Sequence, residues 1–157
     1  MTIVKLPRMS EDEIEQLIQE QVLCRIAFKR EKYPYVAPFQ YVCMNGVIYF
    51  HFTDYGKKMS LLEKDKRVCV EIEGYEKDLS KYQFVVLTGK LKVVTDSREK
   101  AQVIKRMAED GKRRLSKNFL AAHGLKPEQG WLALAQERPI VVVKLCDVVE
   151  RVGLKSP

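Results

Sequence analysis

Histidine is scarce in this chain: His51 and His123 are the only two among 157 residues. Cysteine is little commoner, and Cys24, Cys43, Cys69 and Cys146 are scattered without a CxxC pair, so metal-ligand spacing is missing. Most of the four lie within apolar strand-like runs, where buried free thiols of a reducing compartment are the expected state. No Ser-His-Asp or Cys-His spacing supports nucleophilic catalysis. Long apolar runs are absent too. The N-terminal MTIVKLPRMSEDE has no apolar signal-peptide core, and no stretch approaches bilayer-spanning length, which predicts a soluble, cytoplasmic protein. Internal repeats and low-complexity segments are lacking, and a 46% hydrophobic content gives one domain, 1–157, a real core. A net charge of +7 and a pI near 9.2 suit an acidic partner, which a phosphate-bearing small molecule satisfies as readily as nucleic acid.

What is present centres on NGVIYFHFTDYGKKMSLL, from Asn45 to Leu62. Asn45-Gly46 tolerates positive φ at both centres of a two-residue hairpin turn, so strands should flank it. Val47 to Thr53 then alternates, with Ile48, Phe50 and Phe52 on one face and Val47, Tyr49, His51 and Thr53 on the other. Asp54-Tyr55-Gly56 ends that strand, and a helix begins near Lys57 with Met59, Leu61 and Leu62 as its apolar positions. Two lysines at a helix N-terminus oppose the helix dipole, at a cost of roughly 0.3–1 kcal/mol each. A bound anion reverses that sign. Free N–H groups, Gly56, the Thr53 hydroxyl, Lys57 and Lys58 together suit a phosphate dianion, although two solvated surface lysines read equally well from spacing alone.

Elsewhere, Ser10 and Glu13 form a capping box before a helix with Ile14, Leu17 and Ile18 on one stripe. Val22 to Lys29 alternates as a strand, and a second strand from Tyr35 to Met44 contains Pro38, which belongs at an edge or bulge. Lys66 to Glu73 and Lys81 to Val94 are further strands, the latter weakened at Gly89. Asp96 and Glu99 cap another helix, which Gly111 is expected to end, and the basic GKRRLSK that follows reads as a solvated helix end. Trp131, near proline and glycine, is a core anchor or interface residue on burial grounds and a candidate cofactor contact. Pro139 leads into IVVVKLCDVVERV, whose near-continuous β-branched run predicts a strand buried on both faces. About six strands with hairpin-length connections close naturally as a small antiparallel barrel.

In this order, PYVAPFQYVCMNGVIYFHFTDYGKKMSLLEKDKRVCVEIE and the later FVVLTGKLKVVTDSREKAQVIKRM resemble the FMN-binding split barrels related to pyridoxamine 5′-phosphate oxidase, most of all their nitroimidazole-resistance (Nim-like) branch. The resemblance spans Ser10 to Met107. It implies a mainly β fold, a six-stranded antiparallel split barrel with peripheral helices, and a homodimer with two sites at the subunit interface. FMN would lie along the strand holding Val36, Ala37, Pro38 and Phe39. Phe50 and Phe52 would add contacts, and Thr53, Gly56, Lys57 and Lys58 would hold the phosphate. His51 falls where Nim-like members carry a histidine beside the flavin, as a catalytic proton-transfer residue or as a strand histidine filling an interface. The implied activity is FMN-dependent reduction of small acceptors such as nitroaromatics or quinones. The arginine-bearing tail of the vitamin-processing members is not visible after the last strand, which counts against pyridoxamine phosphate oxidation. Two other classes remain: a non-catalytic module holding haem or a deazaflavin, with His51 or His123 as the haem ligands at hand, and a nucleic-acid binder using GKRRLSK, nucleic acid being the less expected partner.

Overall fold

The computed structural model describes residues 1–136 and 140–157, so the expected Pro139 lead-in lies outside the described residues. Helix α1 (Glu11–Glu20) starts on the reciprocal Ser10–Glu13 capping box and buries Ile14, Leu17 and Ile18. Strand β1 (Leu23–Phe28) turns Cys24, Ile26 and Phe28 inward and Arg25 outward. The run from Tyr35 to Met44 is two strands, β2 (Tyr35–Gln40) and β3 (Val42–Met44), separated by Tyr41 alone. Next come β4 (Val47–Thr53), helix α2 (Lys57–Lys64), β5 (Arg67–Tyr75), β6 (Tyr82–Val93) and helix α3 (Ser97–Arg114). Three 3₁₀ segments (Lys117–His123, Pro127–Gln129 and Trp131–Ala135) precede β7 (Ile140–Lys155). Among the described residues no helix is long and apolar enough to cross a membrane.

All strand pairings are antiparallel, in the order β2-β1-β5-β6-β7-β4-β3. β2 and β3 are the opposite edges of this sheet, yet one residue joins them. The sheet therefore curls until its edges meet, the split barrel that the resemblance implies. Seven strands stand in place of six because the chain leaves one edge and joins the other at Tyr41, whose N–H donates to the Val22 carbonyl at 3.2 Å and whose hydroxyl donates to the Ile18 carbonyl at 2.7 Å. Pro38 sits on an edge strand, where its missing N–H costs no ladder bond. Gly89 marks a register shift between β6 and β7. On the β7 side the shift bulges out at Asp147, Val148 and Val149, which are exposed; the expectation of burial on both faces holds only for the first half of β7, where Ile140, Val142, Val143 and Leu145 are buried.

Two cores result. The barrel interior packs Phe28, Phe39, Phe50, Phe52, Ile26, Val70 and Ile72, and α1 closes one end. A second core lies between the outer face of β3, β4 and β7 and the layer made by α3 and the 3₁₀ segments, with Tyr49, Val142, Met107, Leu120 and Trp131 inside it. Gly111 does not end α3, which continues to Arg114. It makes room for Trp131 instead, since a Cβ there would lie 2.1 Å from the indole Cε3. The basic run is the last turn of that helix: Arg113 pairs with Asp110 at 2.8 Å, and Arg114 donates to the Gln19 and Glu20 carbonyls at the end of α1, so part of its charge is used in the fold. Of the four free cysteines, Cys24 and Cys43 are buried, but Cys69 is exposed.

Candidate functional site

The barrel splits where β3 stops. β3 pairs with β4 only over Val47 to Tyr49, so from Phe50 to Thr53 the outer edge of β4 has no strand beside it among the described residues and faces the outer edge of β2. Aromatic rings bridge the gap in place of ladder hydrogen bonds: Phe39 lies 6.3 Å from Phe50 edge-on and 5.1 Å from Phe52. Above this seam lies a half-open cleft of about 250 Å³. Pro38, Phe39 and Gln40 of β2 form one wall, and His51, Phe52 and Thr53 of β4 form the floor. Tyr55 and Lys58 stand at one end, and Phe119, Ala122, His123 and Gly124 close the other side together with Ile140.

Local sequence explains the lysine end. The Asn45-Gly46 turn, with φ of 52° and 75°, sets the register that points His51 and Thr53 outward. Gly56 caps α2 at φ 98°, a backbone state that L side chains rarely adopt, with open space where a Cβ would be. Among the described residues no side chain caps α2, and its first turn carries no acid. The Thr53 hydroxyl donates to the Tyr55 carbonyl at 2.7 Å and pins the turn. Lys57 and Lys58 lie against β2, their ammonium groups 4.5 Å from the Tyr35 ring centroid and 4.6 Å from that of Phe39. Both cations are thereby held over the cleft end of the strand.

The opposite wall comes from far along the chain. His51 Nε2 and His123 Nδ1 share a hydrogen bond, and the two rings stack at 4.5 Å and 26°. Phe119 and Trp131 meet His123 edge-on at 5.5 and 5.6 Å. Gln40 is 4% exposed; its amide N–H donates to the Met107 carbonyl at 3.3 Å, which a carbonyl oxygen cannot do, so its Oε1 is the end left without a hydrogen-bond partner among the described residues. Below the cleft, Tyr49 and Lys144 both donate to Glu99 at 2.8 Å. The Lys144 and Tyr49 hydrogen bonds hold the Glu99 carboxyl below its usual range, while burial and then Glu99 push Tyr49 up to about 12.

A depressed carboxylate stabilises the fold above its ordinary titration range, and that contribution is lost as pH falls through the folded-state value. Glu99→Gln is therefore expected to melt lower than the parent at pH 7, with the gap closing towards pH 3, as read by circular dichroism melts across that range.

The structure brings together most of the residues that sequence reasoning nominated: Pro38, Phe39, His51, Phe52, Thr53 and Lys58 all line the cleft, and Gly56 and Lys57 flank it. Val36 is exposed on the same outward side of β2 as Pro38, whereas Ala37 points into the barrel. Two more stand away from the cleft. Phe50 is wholly buried in the barrel core, and Trp131, 4% exposed, sits behind His123 as a core anchor. Gln40, Tyr55, Phe119, Ala122 and Gly124 were not nominated at all. The available signal was rarity: both histidines of the chain meet in one cleft, 72 residues apart in sequence.

Residues 10–129 match the sequence profile of the family described as pyridoxamine 5′-phosphate oxidase. No curated protein matches the chain in sequence. Among solved structures, an FAD-binding protein from Mesorhizobium loti is 16% identical, covers 98% of this chain and 100% of its own, and superposes with a TM-score of 0.71. A Bacteroides thetaiotaomicron protein proposed to confer 5-nitroimidazole antibiotic resistance is 21% identical over 96% of this chain and 87% of its own, with a TM-score of 0.66. The haem storage protein of Vibrio cholerae is 19% identical over 92% and 94%, with a TM-score of 0.64. At these identities the likeness is one of fold.

Proposed function

We propose, for a chain that belongs to the pyridoxamine 5′-phosphate oxidase family, that the cleft binds a flavin, FMN in the first instance, and that the protein is an oxidoreductase acting on small acceptors such as nitroaromatics or quinones. The observation that carries this reading is the uncapped, acid-free N-terminus of α2 with Lys57 and Lys58 beside it, a phosphate site by charge and by free N–H groups. The rest of the cleft fits the group. Pro38, Phe39 and Phe52 offer an apolar wall for a flat ring, and the buried Gln40 Oε1 offers an acceptor to a ring N–H.

A bound flavin supplies the electron-transfer chemistry. The chain's own part is to hold the phosphate and to exclude water along the Phe39–Phe52 seam. His51 reaches the cleft and its hydrogen bond to His123 gives it a proton partner, so it is the candidate for proton transfer at Nε2 or Nδ1. The cleft is half open, and a homodimer whose second subunit completes it is part of this reading.

The visible spectrum of freshly purified protein, with extraction and identification of what is bound, tests the reading. A flavin spectrum is the expected result, and colourless protein that ignores added FMN overturns it. A haem-binding role is the second reading, favoured by the meeting of both histidines at the cleft, and a haem spectrum would select it.

A further inference from the structure

The second half of β7 has a bare edge. β4 pairs with β7 only from Ile140 to Lys144, and beyond that point β6 is the one strand that runs beside it among the described residues. The chain's own N-terminal arm takes the far end of the edge: the Met9 N–H donates to the Gly153 carbonyl at 2.9 Å, and the Lys155 N–H donates to the Pro7 carbonyl at 3.0 Å. Backbone groups alternate in direction along a strand, so Val149 and Arg151 turn theirs the same way as Gly153 and Lys155. No backbone hydrogen bond from a described residue meets them there. Edges left to solvent are guarded by lysine, proline or a bulge. This one bulges at Asp147, with φ 49°, yet it presents Val148 and Val149, the latter 82% exposed. Beside the edge lies an open pocket of about 370 Å³ between β7, α1 and the β3–β4 turn, with Ile18, Ile48, Leu87 and Leu145 in its lining. Glu15, Glu150 and Arg151 line it as well. Arg151 is already held by Glu11 at 3.2 Å and by Glu15, so with Glu150 three carboxylates surround one guanidinium and the pocket's charge is negative.

A bare strand edge, an apolar pocket and surplus carboxylates together fit an added strand that carries aliphatic side chains and a cation. The N-terminal arm has that pattern in Thr2-Ile3-Val4-Lys5-Leu6, where Ile3 is 80% and Val4 78% exposed and Lys5 is exposed too. We propose that the arm of a second copy of this chain adds to the edge of β7 at Val149 and Arg151, with Ile3 turned to the apolar pocket and Lys5 to its carboxylates. The chain's own arm falls short of that place. Pro7 is held beside Lys155, about 20 Å along the strand from Val149, whereas residues 2–6 span at most about 17 Å and, continuing antiparallel from the Arg8–Leu154 bridge, lead away from it. The contact is independent of the flavin reading and of the cleft.

Amide hydrogen exchange on the full chain reads the edge directly. The Val149 and Arg151 amides are expected to be protected in the parent and to exchange at least ~10-fold faster in Ile3→Asp/Val4→Asp, while the buried Val70 and Val85 keep their protection. Both replaced residues are exposed, so the variant is expected to fold. Lys5→Glu should lose protection in the same way, and Lys5→Glu/Glu150→Lys, which exchanges the two charges, should regain it. Parent amides that exchange as fast as an open loop overturn the proposal; protection that survives in Ile3→Asp/Val4→Asp assigns the edge to another occupant and overturns it too. Oxidising a mixture of Val4→Cys and Val148→Cys chains, each also carrying Cys69→Ser and Cys146→Ser, separates a second copy from the chain's own arm. A disulfide-linked heterodimer on a non-reducing gel is the expected result. A disulfide that forms within a chain carrying both cysteines but never across the mixture overturns the second copy as occupant.

Discussion

Replacing Lys57 and Lys58 together by alanine is expected to weaken flavin binding by roughly 10²-fold or more, measured by fluorescence titration of protein freed of its cofactor. Each ammonium that donates to a phosphate contributes a charge-assisted hydrogen bond of about 1.5–3 kcal/mol, and each 1.4 kcal/mol is a factor of ten in affinity. Among the described residues α2 has no other compensating device at this end, since neither a capping side chain nor a first-turn acid is present. The same change should leave the fold intact or slightly stabilise it without ligand, because two cations opposing the helix dipole are removed and only two exposed cation–π contacts, about 0.5–1 kcal/mol each, are given up. Tighter folding with weaker binding is the signature of a ligand site. Lys58→Arg, which keeps the charge, is expected to retain most of the affinity, and a double alanine variant that binds flavin as the parent does would remove the phosphate site from α2.

Gly111→Ala is expected to destabilise the protein even though alanine is the better helix former by about 1 kcal/mol. The new Cβ would lie 2.1 Å from Trp131 Cε3 and 2.4 Å from Cδ2, inside contact distance of a ring that is itself buried. Overpacking of this kind costs about 1–3 kcal/mol and occasionally more, and for a domain of this size each kcal/mol lowers the melting temperature by about 2–4 °C. A fall of several degrees is therefore expected. The displacement should also reach the cleft, because Trp131 supports His123 edge-on and His123 holds His51. A red shift of the single tryptophan's emission alongside the lower melting temperature checks both parts. Unchanged emission and a higher melting temperature would mean that Trp131 does not pack on Gly111.

Legibility followed the distance over which each signal acts. The Ser10–Glu13 capping box, the Asp96 side-chain cap, the Asn45-Gly46 turn, the alternation of β4 and the start of α2 were readable because each depends on neighbours within one turn or one strand, although at α3 Glu99 turns to Tyr49 and Lys144 where a full box would have it return to Asp96. Gly111 was misread for the same reason: a glycine near a helix end resembles a terminator, and its actual partner is a ring 20 residues later in a 3₁₀ segment. Alternation alone put Phe50 on the same face as Ile48, and the structure makes that face the barrel interior. Phe52 shares that face and yet reaches the cleft, because it stands at the strand's end where β3 has stopped. Nothing local in the stretch that holds Phe119, Ala122 and His123 says that it packs against β4.

By itself, then, the sequence determined the lysine-bearing end of the site, since a turn, a glycine and a helix start are local chemistry. The residues on that short stretch needed no fold to suggest an anion pocket, with two solvated surface lysines as the equal alternative. Only the tertiary structure decided what faces them. The curl of the sheet brings β2 beside β4 with one residue between its two edges, and the packing of α3 on the barrel carries His123 to His51. Both are consequences of closing a sheet and burying a second core, which no window of sequence contains.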